Sequence, residues 1–151
     1  MIDKHISPNY LVYGTRAYLE EKLGIPCVVK FVGYQQPEED SFTTISFVNS
    51  VPITETKNKD LITERVYMQI GNYAKDIVTL GEQQRVINQL LMYDSIPIIN
   101  NDYETIGHYS VLDITGGANV PYGVAVEDET ESIRNFTDFM TEIQHVKTRI
   151  K

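Results

Sequence analysis

Side chains able to do chemistry are few and scattered in this chain of 151 residues. His5, His108 and His145 are the three histidines, and none has the HxH or HxxxH spacing that aims two imidazoles at one metal ion. His108 reads as a residue on the face of a strand, where an imidazole is ordinarily a hydrogen-bonded structural group. The single cysteine, Cys27, excludes an internal disulfide or a multi-cysteine metal site. It opens an apolar run without a Ser-His or Cys-His motif around it, so it reads as a small core residue and not as a nucleophile. Gly116-Gly117 lacks the GxxxxGK and GxGxxG patterns of phosphate cradles and reads as a tight turn. Glu38-Glu39-Asp40 and Glu127-Asp128-Glu129 could in principle hold a divalent cation or form an acid/base pair. No Asp-x-Asp-x-Asp-Gly ladder accompanies either run, so both read as solvated loop charge. The expectation is no catalytic residue, no metal and no cofactor. Ten tyrosines remain, spread from Tyr10 to Tyr122, and their amphipathic rings suit interfaces as well as cores.

The elements that would position these residues follow from periodicity. Ser7 caps and Pro8 opens a helix over 8–23, with Leu11, Thr15, Tyr18, Leu19 and Leu23 near one stripe, Gly14 as its weak point, and Gly24 and Pro26 ending it. Cys27 to Val32 is β-branched and aromatic, a strand that exits through Gly33 and Pro37. A second strand over 42–48 places Thr43, Ile45 and Phe47 on one face. Residues 50–63 read as a long polar link. In the third strand, Val66, Met68 and Ile70 alternate with Arg65, Tyr67 and Gln69. Thr79 to Glu82 has capping-box spacing ahead of a second helix, whose stripe is Val86, Ile87, Leu90 and Leu91, ending near Tyr93. A strand over 106–115, the Gly116-Gly117 turn and a strand over 122–127 follow. Phe136, Phe139, Ile143, Val146 and Ile150 recur at spacings of three and four, so residues 130–151 read as a C-terminal arm or helix, although Thr137, Thr141 and Thr148 would also tolerate a strand.

Three strands in succession favour antiparallel pairing, and two helices on one face make a two-layer α+β sandwich. The length allows one domain over 1–151. A net charge of −8 disfavours nonspecific nucleic-acid binding. The longest uncharged apolar run, Ile96-Pro97-Ile98-Ile99, is far short of the roughly 20 residues of a membrane helix, and the opening residues lack a signal peptide's apolar stretch, so the expectation is a soluble protein made in a cytoplasm.

In its organisation the chain resembles the tail terminator, or tail completion, proteins of long-tailed bacteriophages. The features that carry the resemblance are the small acidic chain, the opening helix ending Leu19-Glu20-Glu21-Lys22-Leu23-Gly24-Ile25-Pro26, the strands Val28 to Val32 and Arg65 to Ile70, the helix Glu82 to Leu91 and a late strand pair. It covers about residues 8–127 and rests on element order more than on any invariant motif. The resemblance implies a structural virion protein, assembled in the host cytoplasm as a ring, commonly a hexamer. The ring caps the tail tube, stops its polymerisation and presents a surface to the head connector, with DNA passing through unbound and no membrane contact. Ring closure needs heterologous contacts, which exposed strand edges and flanking loops can supply. Tyr34, Gln35, Glu38, Glu39 and Asp40 in the 33–41 loop, and Ile53, Glu55, Lys57, Lys59 and Asp60 in the 50–63 link, are the candidate interface residues. Alternatives are another head-completion or tail-tube subunit, or a small hydrolase or nucleotide-binding enzyme using the acidic runs and His108.

Overall fold

The apolar stripes and alternations set the order of elements, and their pairing sets the layers. A computed structural model describes residues 6–31, 33–57, 61–118 and 133–146. Along the chain run α1 (Pro8–Leu23), β1 (Cys27–Val29), β2 (Phe42–Thr54), β3 (Leu61–Ala74), α2 (Ile77–Tyr93), β4 (Ser95–Ile99), β5 (Thr105–Ser110), β6 (Asp113–Ala118) and β7 (Ile133–Val146). Five strands form one sheet in the order β1-β2-β3-β7-β6, antiparallel except for the β1–β2 pair, while β4 and β5 form a separate hairpin. This is an α+β fold, with the helices on one face of a mainly antiparallel sheet.

That face holds the core. Leu11, Val12 and Leu19 of α1 and Ile87, Leu90 and Leu91 of α2 pack on Ile45, Val66, Met68, Ile70, Phe139 and Ile143 of the sheet. Ile96, Ile98 and Tyr109 of the β4–β5 hairpin join them. Burying these side chains gives the layer its stability, since each is worth about 1.5–3 kcal/mol. Amides fasten α2 to the sheet as well. Asn72 on β3 donates to the Leu80 carbonyl at 3.1 Å, and Gln83 donates to Asn72 Oδ1 and to the Tyr73 carbonyl, so these buried polar groups are satisfied.

α1 has the expected cap, the Ser7 hydroxyl accepting the Asn9 N–H at 3.3 Å, and it ends at Gly24 in the left-handed region at φ 69°. The weakness expected at Gly14 has a packing reason, because a Cβ there would run into the Pro97 carbonyl of β4. The helix surrenders propensity at that point so that the strand can lie against its backbone.

Several expectations are corrected. The capping box at Thr79 is not the helix start: Asp76 is the N-cap, its carboxylate accepting the Thr79 N–H at 2.8 Å and the Thr79 hydroxyl at 3.1 Å. These bonds hold the Asp76 carboxyl below its ordinary value. The link over 50–63 is mostly strand, since β2 runs to Thr54 and β3 starts at Leu61, joined by register from Val51 opposite Arg65 to Thr54 opposite Ile62. The first strand is shorter than expected and stops at Val29. The expected strand over 106–115 is two strands, β5 and β6, and Gly116 and Gly117 lie within β6 instead of forming a turn. The Ile96–Ile99 run is itself a strand, β4.

The largest correction is the tail. Residues 133–146 form β7, paired with β3 along its whole length from Leu61 opposite Val146 to Ala74 opposite Ile133. Phe139 and Ile143 enter the core while Phe136 lies on the other face, so the helical spacing was coincidental and the β-branched threonines carried the better signal. The expected strand over 122–127, the Glu127-Asp128-Glu129 run, His5 and residues 147–151 lie outside the described residues.

Candidate interaction surface

Side chains remain available at the sheet's two edges and on part of its second face, one end of which is itself buried. Near one end of the second face, Phe42 stacks on Tyr73 with centroids 4.4 Å apart, and Tyr73 meets the edge of Phe136 at 6.2 Å. Lys30 Nζ lies 5.5 Å from the Phe136 centroid, which places Lys30 on this face. Further along, Gln69 donates to Asp138 at 2.8 Å and Arg65 pairs with Glu142 at 3.1 Å. The register explains this polarity: Arg65, Tyr67 and Gln69 alternate with core-facing Val66, Met68 and Ile70.

The β1–β2 edge is uneven. β1 covers only Thr43 to Ile45, with one further bond from the Lys30 N–H to the Ile45 carbonyl at 2.9 Å. From Ser46 to Thr54, β2 has no second neighbour among the described residues. A bulge between Phe47 and Asn49 turns Val48 outward, leaving Phe47 41% and Val48 55% exposed, and Val51 is exposed as well. Pro52 on this stretch removes a backbone donor, as suits an edge. A shallow cleft of about 390 Å³ opens between Val48, Val51, Tyr67 and Asp138.

At the opposite edge β6 is the outermost strand among the described residues. Ile114 is opposite core-facing Phe139, so it projects on the helix side, and Asp113 opposite Met140 projects on the other. Met92 at the end of α2 and Leu112 are both exposed beside Ile114 and share a pocket with it. A third feature is the turn of the β4–β5 hairpin. Asn100 Oδ1 accepts the Asp102 and Glu104 N–H groups, holding Tyr103 at φ 62° with its ring 92% exposed beside a cleft shared with Tyr13 and Arg16.

The expected interface residues fall at two ends of one strand. Tyr34 is half-buried, its ring 6.5 Å from that of Phe31, while Gln35, Glu38, Glu39 and Asp40 are exposed, with Asp40 3.8 Å from Lys75. Ile53 is a half-buried residue of β2, Glu55 gives its N–H to the Leu61 carbonyl, and Lys57 is exposed in the turn. Lys59 and Asp60 lie outside the described residues. Thirteen residues of β2 separate the two groups by about 40 Å, so they cannot form one site. Sequence reading missed Phe47, Val48, Met92, Leu112 and Ile114, whose exposure depends on which strand is outermost.

The groups with chemical potential stay apart. Burial pushes the Cys27 thiol up to about 11, which keeps it protonated near neutral pH. His108 is exposed on β5, and His145 Nε2 is 2.9 Å from Glu64 at the far end of the sheet. Among the described residues there is no group of three His, Cys, Asp or Glu side chains that could hold a metal ion, and no helix is long and apolar enough to cross a membrane.

Fold and surface together define a two-layer α+β protein with exposed apolar groups along the sheet's edges, at both ends of α2 and on the β4–β5 hairpin. The sequence matches no family model and no curated protein.

Proposed function

We propose that the protein is a structural subunit of a long-tailed phage virion, forming a ring that caps the tail tube, ends its polymerisation and offers the head connector a surface. The observation that carries this reading is the stretch of β2 with no second neighbour among the described residues, nine residues from Ser46 to Thr54 with Phe47, Val48 and Val51 exposed. An edge strand of that length with apolar side chains in water is a template for another chain, and a monomer ordinarily covers or charges it. A role in assembly gives those side chains a partner. The charge of −8 suits a ring through which DNA slides, because carboxylates repel phosphate within a Debye length of about 8 Å. The ring is built in the host cytoplasm and ends in the neck of the virion.

Native mass spectrometry of the purified chain, alone and with tail tubes, tests this. A single closed ring, formed in solution or on tube ends, is the expected species. Long stacked tubes would instead indicate a tail-tube subunit, and a chain that stays monomeric at every concentration and leaves tubes uncapped would overturn the reading.

A further inference from the structure

We infer that the cleft between α1 and the β4–β5 turn binds a neutral sugar, its apolar face stacked on Tyr13 and Tyr103 and its hydroxyls met by Arg16 and Asn100. The site does not depend on the chain assembling with copies of itself.

Local packing builds the cleft. With no Cβ at Gly14, the Pro97 carbonyl closes on α1 and brings the end of β4 and the turn after it against one face of the helix. Arg16 and Ala17 lie three and four residues on from Tyr13, so all three share that face. Ile99, Asn100 and Tyr103 line the other side, and about 380 Å³ lies between, room for a small ligand.

Tyr103 is the residue that folding does not explain. Its φ of 62° lies in the left-handed region that favours glycine, yet its side chain is almost wholly exposed, so backbone strain is accepted for an aromatic group that adds little buried area. Tyr13 is partly exposed on the helix side, which gives the cleft one phenol from each wall.

The polar groups select the ligand's charge. Arg16 on the wall opposes a cation, while Glu20, paired with it at 2.6 Å, and Asp102 and Glu104 on the turn oppose an anion. The turn's backbone is occupied: Asn100 Oδ1 accepts the Asp102 and Glu104 N–H groups, the Asn100 carbonyl accepts the Tyr103 N–H, and the Asn100 N–H goes to the Glu104 carbonyl. No strand edge is therefore offered to a peptide. The same bonds fix Asn100 Oδ1 as acceptor and leave its NH2 end as the donor. A neutral molecule with an apolar face and a rim of hydroxyls meets all of these conditions.

Saturation-transfer NMR on the full chain tests this with the methyl glycosides of glucose, galactose, mannose and N-acetylglucosamine, each at about 10 mM, above the millimolar constants of weak ligands. At least one should receive saturation at its ring C–H protons. Tyr13→Ala and Tyr103→Gly should each weaken that glycoside about tenfold. Tyr103→Gly should also keep the parent's melting midpoint, because relief of strain offsets the added chain entropy, whereas loss of a structural side chain would lower it. Should the glycine variant loosen the turn, Tyr103→Asn, which tolerates the same conformation, decides in its place. No transfer to any of the four glycosides, or a Tyr103 variant that binds as the parent does, would overturn the site. Binding of adenosine, choline or galacturonate in place of the neutral glycosides would overturn it as well.

Discussion

Individual residues show how local preference yields to packing. Glycine in the middle of a helix costs about 1 kcal/mol relative to alanine, yet Gly14 sits at the middle of α1 because Pro97 of β4 occupies the space a Cβ would need. Gly14→Ala therefore gains propensity and loses more to overpacking, and urea denaturation should show a net loss of about 1–2 kcal/mol. Tyr18 makes a second cross-element link, its phenol donating to the Asp94 carboxylate at 2.6 Å. That bond, aided by burial, pushes the phenol up to about 12 from 10.0. The protonated phenol is the form that binds, so the stabilisation is complete below pH 10 and is lost as the pH rises toward 12. The melting-midpoint advantage of the parent over Tyr18→Phe should shrink across that window, and a constant difference would show that the bond does not couple to folding.

Elements, by contrast, were decided by their neighbours. Both helices were legible because their stripes repeat at helical spacing, with Leu11, Thr15 and Leu19 or Ile87, Leu90 and Leu91 turning to one side. Val66, Met68 and Ile70 were equally legible as a buried strand face, whereas the second strand's alternation grouped Thr43 and Ile45 with Phe47, which is exposed. The tail was not legible. Its apolar residues fit a helix, but fourteen residues of β3 on its far side from β2 had no other strand to satisfy their backbone groups, and β7 fills that place. Phe139, fully buried on β7, makes the difference measurable. Phe139→Ala should cost about 3–5 kcal/mol, the range for emptying an aromatic site in a core, against about 0.5 kcal/mol or less for a residue on a solvated arm. Chemical denaturation of that single variant distinguishes the two.

For the whole molecule, the distribution of charge and apolar surface matters more than any one group. The acidic excess leaves little to attract a polyanion. Duplex DNA should therefore not be retained by the purified protein in gel-shift measurements near 0.15 M salt, and retention would contradict a lumen that lets DNA slide. Of the residues expected at an interface, the 33–41 loop and the β2–β3 turn do lie at opposite ends of β2, as the linear order implies. The edges themselves were not readable in advance, because being outermost in a sheet is a property of strand order and not of any strand's own residues.

Read alone, the chain determines which side chains seek the interior and where its two helices run, since periods of 3.6 and 2 are written in nearest-neighbour spacing. It also determines the acidic balance. Tertiary structure alone decides that the last segment is a strand inside the sheet, that β5 and β6 part company at Val111 and Leu112, and that Phe47 and Ile114 face water at opposite margins. Those outcomes depend on backbone hydrogen bonds between residues far apart in sequence, such as Leu61 with Val146, and no local pattern encodes a partner that distant.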